Sequence, residues 1–257
     1  MDLGISGKVA MVAAGSKGIG LAIAQALAAE GCRVSICGRT EATLRAAADP
    51  IGAEYHVVDV SRAEDLERWV SEVESRLGAP SILVTNTGGP PAGALDSITD
   101  EQWQAGFDST LMNIVRLVRR VAPGMRESGW GRIVHLTSLV AKEPNRLLPI
   151  SSTLRSGVMA LTRLQATELA PFGITVNGVL PGHTLTDRQR HLAGLRAERE
   201  GIDEDEALRR QGAEVPVGRL ADPSEIASLV AYLCGAPASY VTGNSVLADG
   251  GMVRGLA

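Results

Sequence analysis

Short, almost continuously apolar runs alternate along this chain with longer stretches whose apolar positions recur at helical spacing. The short runs cover residues 9–13, 33–37, 55–58, 82–85, 132–137, 175–180 and 245–248, and each predicts a strand. The longer ones predict helices over 19–30, 63–77, 100–126, 152–170 and 223–233. A strand that is apolar throughout is buried on both faces, which points to a parallel sheet covered by helices on either side. Right-handed crossovers then give a doubly wound α/β fold of about seven strands, the Rossmann arrangement.

Length alone leaves one large domain or two small ones open. No repeat or linker-like stretch interrupts the alternation, so residues 1–257 are expected to form one domain. Residues 186–212 stand apart, being rich in Arg, Glu and Asp and expected to be helical. They read either as a solvated helical pair or as a mobile flap over a pocket.

Composition excludes some partners. A net charge of −4 gives no general attraction to nucleic acid or to an anionic membrane, since phosphate binding needs a basic face. No apolar run approaches the roughly 18–20 residues that cross a bilayer. The first residues lack the charged and apolar regions of a signal peptide, so a cytoplasmic protein is expected. Cys32, Cys37 and Cys234 form no CxxC pair and are expected as buried free thiols, with no disulfide and no metal site. Of 25 basic side chains only Lys8, Lys17 and Lys142 are lysines, which makes each lysine slightly more informative.

The first strand runs into Ala14, Gly15, Ser16, Lys17, Gly18, Ile19 and Gly20, and then into a long amphipathic helix. Glycines at these points let the backbone turn tightly, approach a pyrophosphate, and pack helix against sheet. The helix N-terminus offers free N–H groups and the positive end of its dipole. Glycines in this strand–turn–helix context imply dinucleotide binding. The second strand ends in Cys37, Gly38 and Arg39, with no carboxylate to accept the ribose hydroxyls of NAD. Arg39 instead presents a planar charged fork suited to a 2′-phosphate, and Lys17 could approach the same group. These residues favour NADP(H), with NAD(H) the less favoured cofactor.

The G-x-x-x-G-x-G spacing resembles the short-chain dehydrogenase/reductase family, and the resemblance extends over almost the whole chain. Asp59 and Val60 resemble the family's pair near the adenine; Asn86, Thr87, Gly88 and Gly89 resemble its Asn-Asn-Ala-Gly segment with two substitutions. Asn113 falls where the family has a helix asparagine. Pro181, Gly182 and Thr186 are similar to the loop that meets the nicotinamide amide, and Thr184 lies within that loop. Thr242-Gly243 and Asp249-Gly250-Gly251 match the closing segment. The resemblance implies an oxidoreductase acting on a carbonyl/alcohol pair of a small molecule, assembled as a homodimer or homotetramer.

It also implies a catalytic Ser, Tyr and Lys, and here the pattern breaks. Ser138 follows the fifth strand as the family's serine does, but the tyrosine position holds Ser151 and the lysine position Arg155. The only tyrosines are Tyr55, Tyr232 and Tyr240, none of them nearby. A serine hydroxyl is too weak an acid to replace a phenol near neutral pH, and arginine stays protonated. Arg155 could still bond the nicotinamide ribose or orient an anion.

Three replacement proton donors are considered. Lys142 stands four residues after Ser138 and could be tuned by burial beside positive charge. His183 lies in the Pro-Gly loop and titrates near the right pH. His135, inside a strand, is expected to be a hydrogen-bonded core residue.

An atypical NADP(H)-dependent oxidoreductase is the favoured reading. Its alternative is a cofactor-binding protein without turnover, serving as a sensor or hetero-oligomer subunit. Halohydrin dehalogenases carry an arginine at the lysine position, but they keep the tyrosine and lack the dinucleotide glycines, the reverse of this chain. The pocket is expected between residues 89–95, 142–150 and 184–212, with an apolar wall at Pro90, Pro91 and Leu147–Ile150, and with Arg146 and Arg188 as possible anion contacts.

Overall fold

A computed structural model describes residues 1–255. Seven parallel strands form one sheet: β1 (Val9–Val12), β2 (Arg33–Gly38), β3 (Glu54–Val57), β4 (Ile82–Thr85), β5 (Gly131–Leu136), β6 (Ile174–Pro181) and β7 (Ser245–Ala248). Their spatial order is β3-β2-β1-β4-β5-β6-β7. The chain builds outward from β1 in one direction and then, from β4, in the other. The crevice between the carboxyl ends of β1 and β4 is where such sheets receive ligands.

Nine helices connect the strands among the described residues: α1 (Gly18–Ala29), α2 (Glu41–Ala48), α3 (Ala63–Leu77), α4 (Asp100–Phe107), α5 (Asn113–Ser128), α6 (Pro149–Leu169), α7 (Asp187–Glu200), α8 (Glu204–Ala213) and α9 (Pro223–Cys234). Alternate strand residues face opposite layers. Ala10, Val12, Val34, Ile36, Val134 and Leu136 pack with α1, α2 and α9. Val9, Met11, Leu83, Ile133 and Val176 pack with α3, α5 and α6. Each fully buried Val, Leu or Ile contributes roughly 1.5–3 kcal/mol, so both layers are needed to hold the sheet. Cys37 belongs to the α3 side and Cys32 and Cys234 to the α1 side; all three are free and buried. Burial pushes the Cys32 thiol up to about 11 and that of Cys37 to about 12.

The alternating pattern gave the sheet and most helices to within one or two residues at strand ends and three at helix ends. Two elements depart from this pattern. The short α2 lies outside the predicted helices. The single helix expected over 100–126 is two, separated by a π-helical turn at Asp108–Met112. Within that turn, Ser109 Oγ donates back to the Ala105 carbonyl at 2.7 Å, a contact that bends helices. Residues 186–212 form α7 and most of α8, which share a small core of Ala193, Ala197, Ala207 and Leu208. Among the described residues no helix is long and apolar enough to cross a membrane.

Candidate active site

The glycine turn is shaped by what surrounds it. A Cβ on Gly15 would stand 2.8 Å from the Ile36 side chain, and one on Gly20 would collide with the Ala14 carbonyl. Gly18 has φ +52° and opens α1, and Ala14 shares the left-handed region at φ 49°. Lys17 caps α1 without a side-chain hydrogen bond, and no acid lies in the first turn. The first N–H groups of the helix, including those of Gly18, Ile19 and Gly20, therefore point outward without intrahelical partners. This cradle fits a pyrophosphate.

Beside it, Ser16 lies over the end of β2, where its Oγ would be 3.3 Å from a Cβ on Gly38. Arg39 follows that strand and is exposed. Ser61 donates to Asp59 Oδ1 from Oγ at 2.7 Å and from its N–H at 3.0 Å. These bonds, helped by the nearby charge of Arg39, hold the Asp59 carboxyl below its ordinary range. Ser16, Arg39, Asp59 and Val60 thus gather at the β2–β3 end, and exposed Lys17 stands in the turn itself. On the other side of β1, Asn86 Nδ2 reaches the Ala14 carbonyl at 3.5 Å, and Gly88 beyond it is exposed with open space.

The second cluster stands at the carboxyl end of β5. Ser138 is half-buried and extended, and its Oγ accepts from the Val140 N–H at 3.4 Å, which leaves its own O–H free to donate. Lys142 is half-buried and ends the 3₁₀ turn Leu139–Ala141. Ser151 and Arg155, one turn apart on α6, are both buried. Arg155 donates from Nε to Ser151 Oγ at 3.2 Å and from Nη1 to the Leu136 carbonyl at 3.1 Å. Burial first, then the charge of Arg188, lowers the Arg155 pKa to about 10. Asn113, 1% exposed, lies immediately after the π-helical turn, and its Oδ1 accepts from the Ile114 N–H at 2.6 Å. Such turns add a residue to a helix and commonly mark functional positions.

The loop after β6 and the first turn of α7 reach back to the glycine turn and to Gly89 after β4. Gly182 donates to the Ala248 carbonyl at 2.9 Å, and a Cβ there would stand 2.6 Å from Asp249 Cα. Thr184 Oγ1 donates back to the Gly182 carbonyl at 3.2 Å. Thr186 caps α7 by accepting from Gln189 N–H, and its methyl would be 3.1 Å from a Cβ on Gly18. Two residues on, Arg188 Nη1 donates to the Gly89 carbonyl at 3.3 Å. His183 is half-buried, which lowers its pKa.

His135 is the core residue expected: Thr85 Oγ1 and Gln165 Oε1 lie 2.8 Å from its two ring nitrogens, and burial lowers its pKa to about 4. Nothing in the sequence pattern marked Gln165 or the Arg188–Gly89 contact, because both join residues far apart in the chain. A groove of about 680 Å³ lies elsewhere, between α3 and α5, and none of the residues above lines it.

A family model described as enoyl-(acyl carrier protein) reductase matches residues 13–253. The chain is 34% identical over 252 residues to 3-oxoacyl-(acyl-carrier-protein) reductase FabG of Vibrio cholerae, covering 97% of this chain and 99% of the relative. L-sorbose reductase from Gluconobacter frateurii, solved in complex with NADPH and L-sorbose, superposes with a TM-score of 0.95 at 35% identity, with both chains covered completely. An actinorhodin polyketide ketoreductase solved with NADPH gives a TM-score of 0.92 at 34% identity, covering 99% of this chain and 100% of that one. The glycine cradle, the sheet order and these matches together make this chain a member of the short-chain dehydrogenase/reductase family.

Proposed function

We propose that the chain is an NADP(H)-dependent reductase of a small carbonyl compound that works without the family's tyrosine–lysine pair. The observation that carries this reading is the placing of an uncapped, glycine-lined helix N-terminus after β1 and Arg39 after β2 on the same carboxyl edge of the sheet as Ser138 after β5. The solved relatives bound to NADPH support the same cofactor.

Gly15, Ser16, Lys17, Gly18, Ile19 and Gly20 would hold the pyrophosphate side, Arg39 with Lys17 the 2′-phosphate, and Asp59, Val60, Asn86 and Gly88 the adenosine side and the middle of the cofactor. Pro181, Gly182, Thr184 and Thr186 would face the nicotinamide. NADPH held there would supply the hydride to the carbonyl carbon. Ser138 then donates a hydrogen bond to the carbonyl oxygen as charge builds on it. Ser151 cannot release a proton at neutral pH, and its Oγ already accepts from Arg155. Lys142 supplies the proton to the oxygen as the C=O π bond breaks, leaving an alcohol and a neutral amine that water reprotonates. Asn113 orders the start of α5 beside this edge. The helices α7 and α8 act as a flap whose first turn reaches across to Gly89.

The test is NADPH turnover on a panel of ketones, aldehydes and quinones, with wild type and Lys142→Ala. We expect turnover in the wild type and a loss of 100-fold or more (about 3 kcal/mol) in the variant, with NADPH affinity retained. No turnover on any member sinks the reductase reading; unchanged kcat in Lys142→Ala removes only the proton donor.

A further inference from the structure

Two arginines are buried among the described residues, and the fold treats them differently. Arg132, at the amino end of β5, donates to the carbonyls of Gly131, Gly173 and Gly235 at 2.8, 3.3 and 3.4 Å. Its guanidinium also lies over the Trp130 ring, 4.4 Å from the centroid. That is a structural arginine, with three of its five donors on backbone carbonyls and its face against an indole. Arg155 is 7% exposed and uses one N–H on Leu136 and one on Ser151. A guanidinium has five N–H donors, so three stay unspent.

No carboxylate pairs with Arg155 among the described residues. The charge nearest to it in effect is another cation, Arg188, whose guanidinium is held against the Gly89 carbonyl. Burying a charge without a counterion is costly, because desolvation is not offset by a partner. A fold that accepts this at the reacting edge of its sheet is prepared for a negative charge from outside.

The cofactor phosphates do not supply that charge. Their cradle is on β1 and Arg39 is on β2, whereas Arg155 is bonded to the end of β5. With strands about 4.8 Å apart, β5 stands roughly 10 Å from β1. Ser138, which meets the carbonyl, follows that same strand end.

We propose that Arg155 and Arg188 form an anion-binding pair that receives a carboxylate on the substrate next to the carbonyl being reduced, as in a 2-oxo acid. This rests on the reductase reading above and narrows its substrate class. Arg155 is fixed by Ser151 and Leu136 and presents its free edge, while Arg188 arrives with the first turn of α7. Ser151 is then a positioning residue: where a phenol would reach the substrate, a small hydroxyl leaves room and steadies the guanidinium.

The test is calorimetric titration of the full-length protein, with and without NADP⁺, using phenylglyoxylate and its methyl ester as probes. The wild type is expected to bind the acid at least tenfold more tightly than the ester. Arg188→Met, at an exposed position, should erase that preference, and Arg155→Met should do the same while Arg155→Lys restores part of it. Equal affinity for the two probes, binding of neither, or a preference that survives Arg188→Met overturns the proposal. NADPH titration of the same wild-type protein separates the two readings. Loss of NADPH binding sinks the reductase, whereas normal NADPH binding without a carboxylate preference sinks only the anion pair.

Discussion

Arg39 and His135 show how far a single residue can be read. Arg39 was marked by what was missing around it, namely a carboxylate at the end of β2, and it stands exposed beside Asp59 and Ser16, where a 2′-phosphate would lie. A charge-assisted contact of this kind contributes about 1.5–3 kcal/mol. Arg39→Ala should therefore weaken NADPH binding by tenfold or more and leave NADH binding almost unchanged, as measured by fluorescence titration. His135 carries a different consequence. Its folded pKa is about 4 against an ordinary 6.5, because burial disfavours the charged ring. The unfolded chain then binds more protons than the native one between those values, so stability falls as pH drops from about 6.5 towards 4. This linkage amounts to about 3 kcal/mol, with His183 adding in the same direction. Urea unfolding at pH 7 and pH 4.5 should show a steeper loss in wild type than in His135→Asn. Equal slopes would refute it. The glycines were legible because backbone geometry permits nothing else there; Gln165 was not, because its role exists only once α6 crosses β5.

At the level of elements, periodicity located the sheet but not the break between α4 and α5. An inserted π turn adds one residue without disturbing the apolar repeat enough to show, so a pattern over 100–126 reads as continuous. The pair α7 and α8 was visible as a charged segment, yet its closure onto Gly18 and Gly89 depends on contacts across the fold. Its own core contains three alanines and one leucine. So little buried apolar surface lets a segment open locally at low free-energy cost. Amides of α7 and α8 should exchange with deuterium much faster than those of β5 and β6, and they should slow when NADPH is added. Equal protection in all four elements would exclude a flap.

For the molecule as a whole, the exposed apolar side chains hold the clearest signal. Leu164 on α6 is 69% exposed, and Phe107 and Phe172 lie at 37% and 42%. Exposed apolar groups on α6 and at the ends of α4 and α6 suit an interface between copies of this chain. Light scattering should give a mass that is a multiple of the 26.9 kDa chain, and Leu164→Arg should lower it. A monomeric wild type would refute the assembly. Fold class and cofactor were legible because both follow from local rules along the chain. Arg155 and Arg188 were each legible as an anion contact; the pairing proposed for them was not, because the two lie far apart in the sequence.

The three thiols give the molecule a set of built-in reporters. Cys37 lies in one helical layer, directly beneath the cofactor edge, where its carbonyl accepts from the Gly15 N–H; Cys32 and Cys234 lie in the other. Raised pKa values leave each almost wholly protonated and unreactive while its layer stays shut. Alkylation with iodoacetamide, followed by peptide mass mapping, therefore clocks the opening of each face separately. Dinucleotide should lengthen the Cys37 lifetime more than that of Cys234.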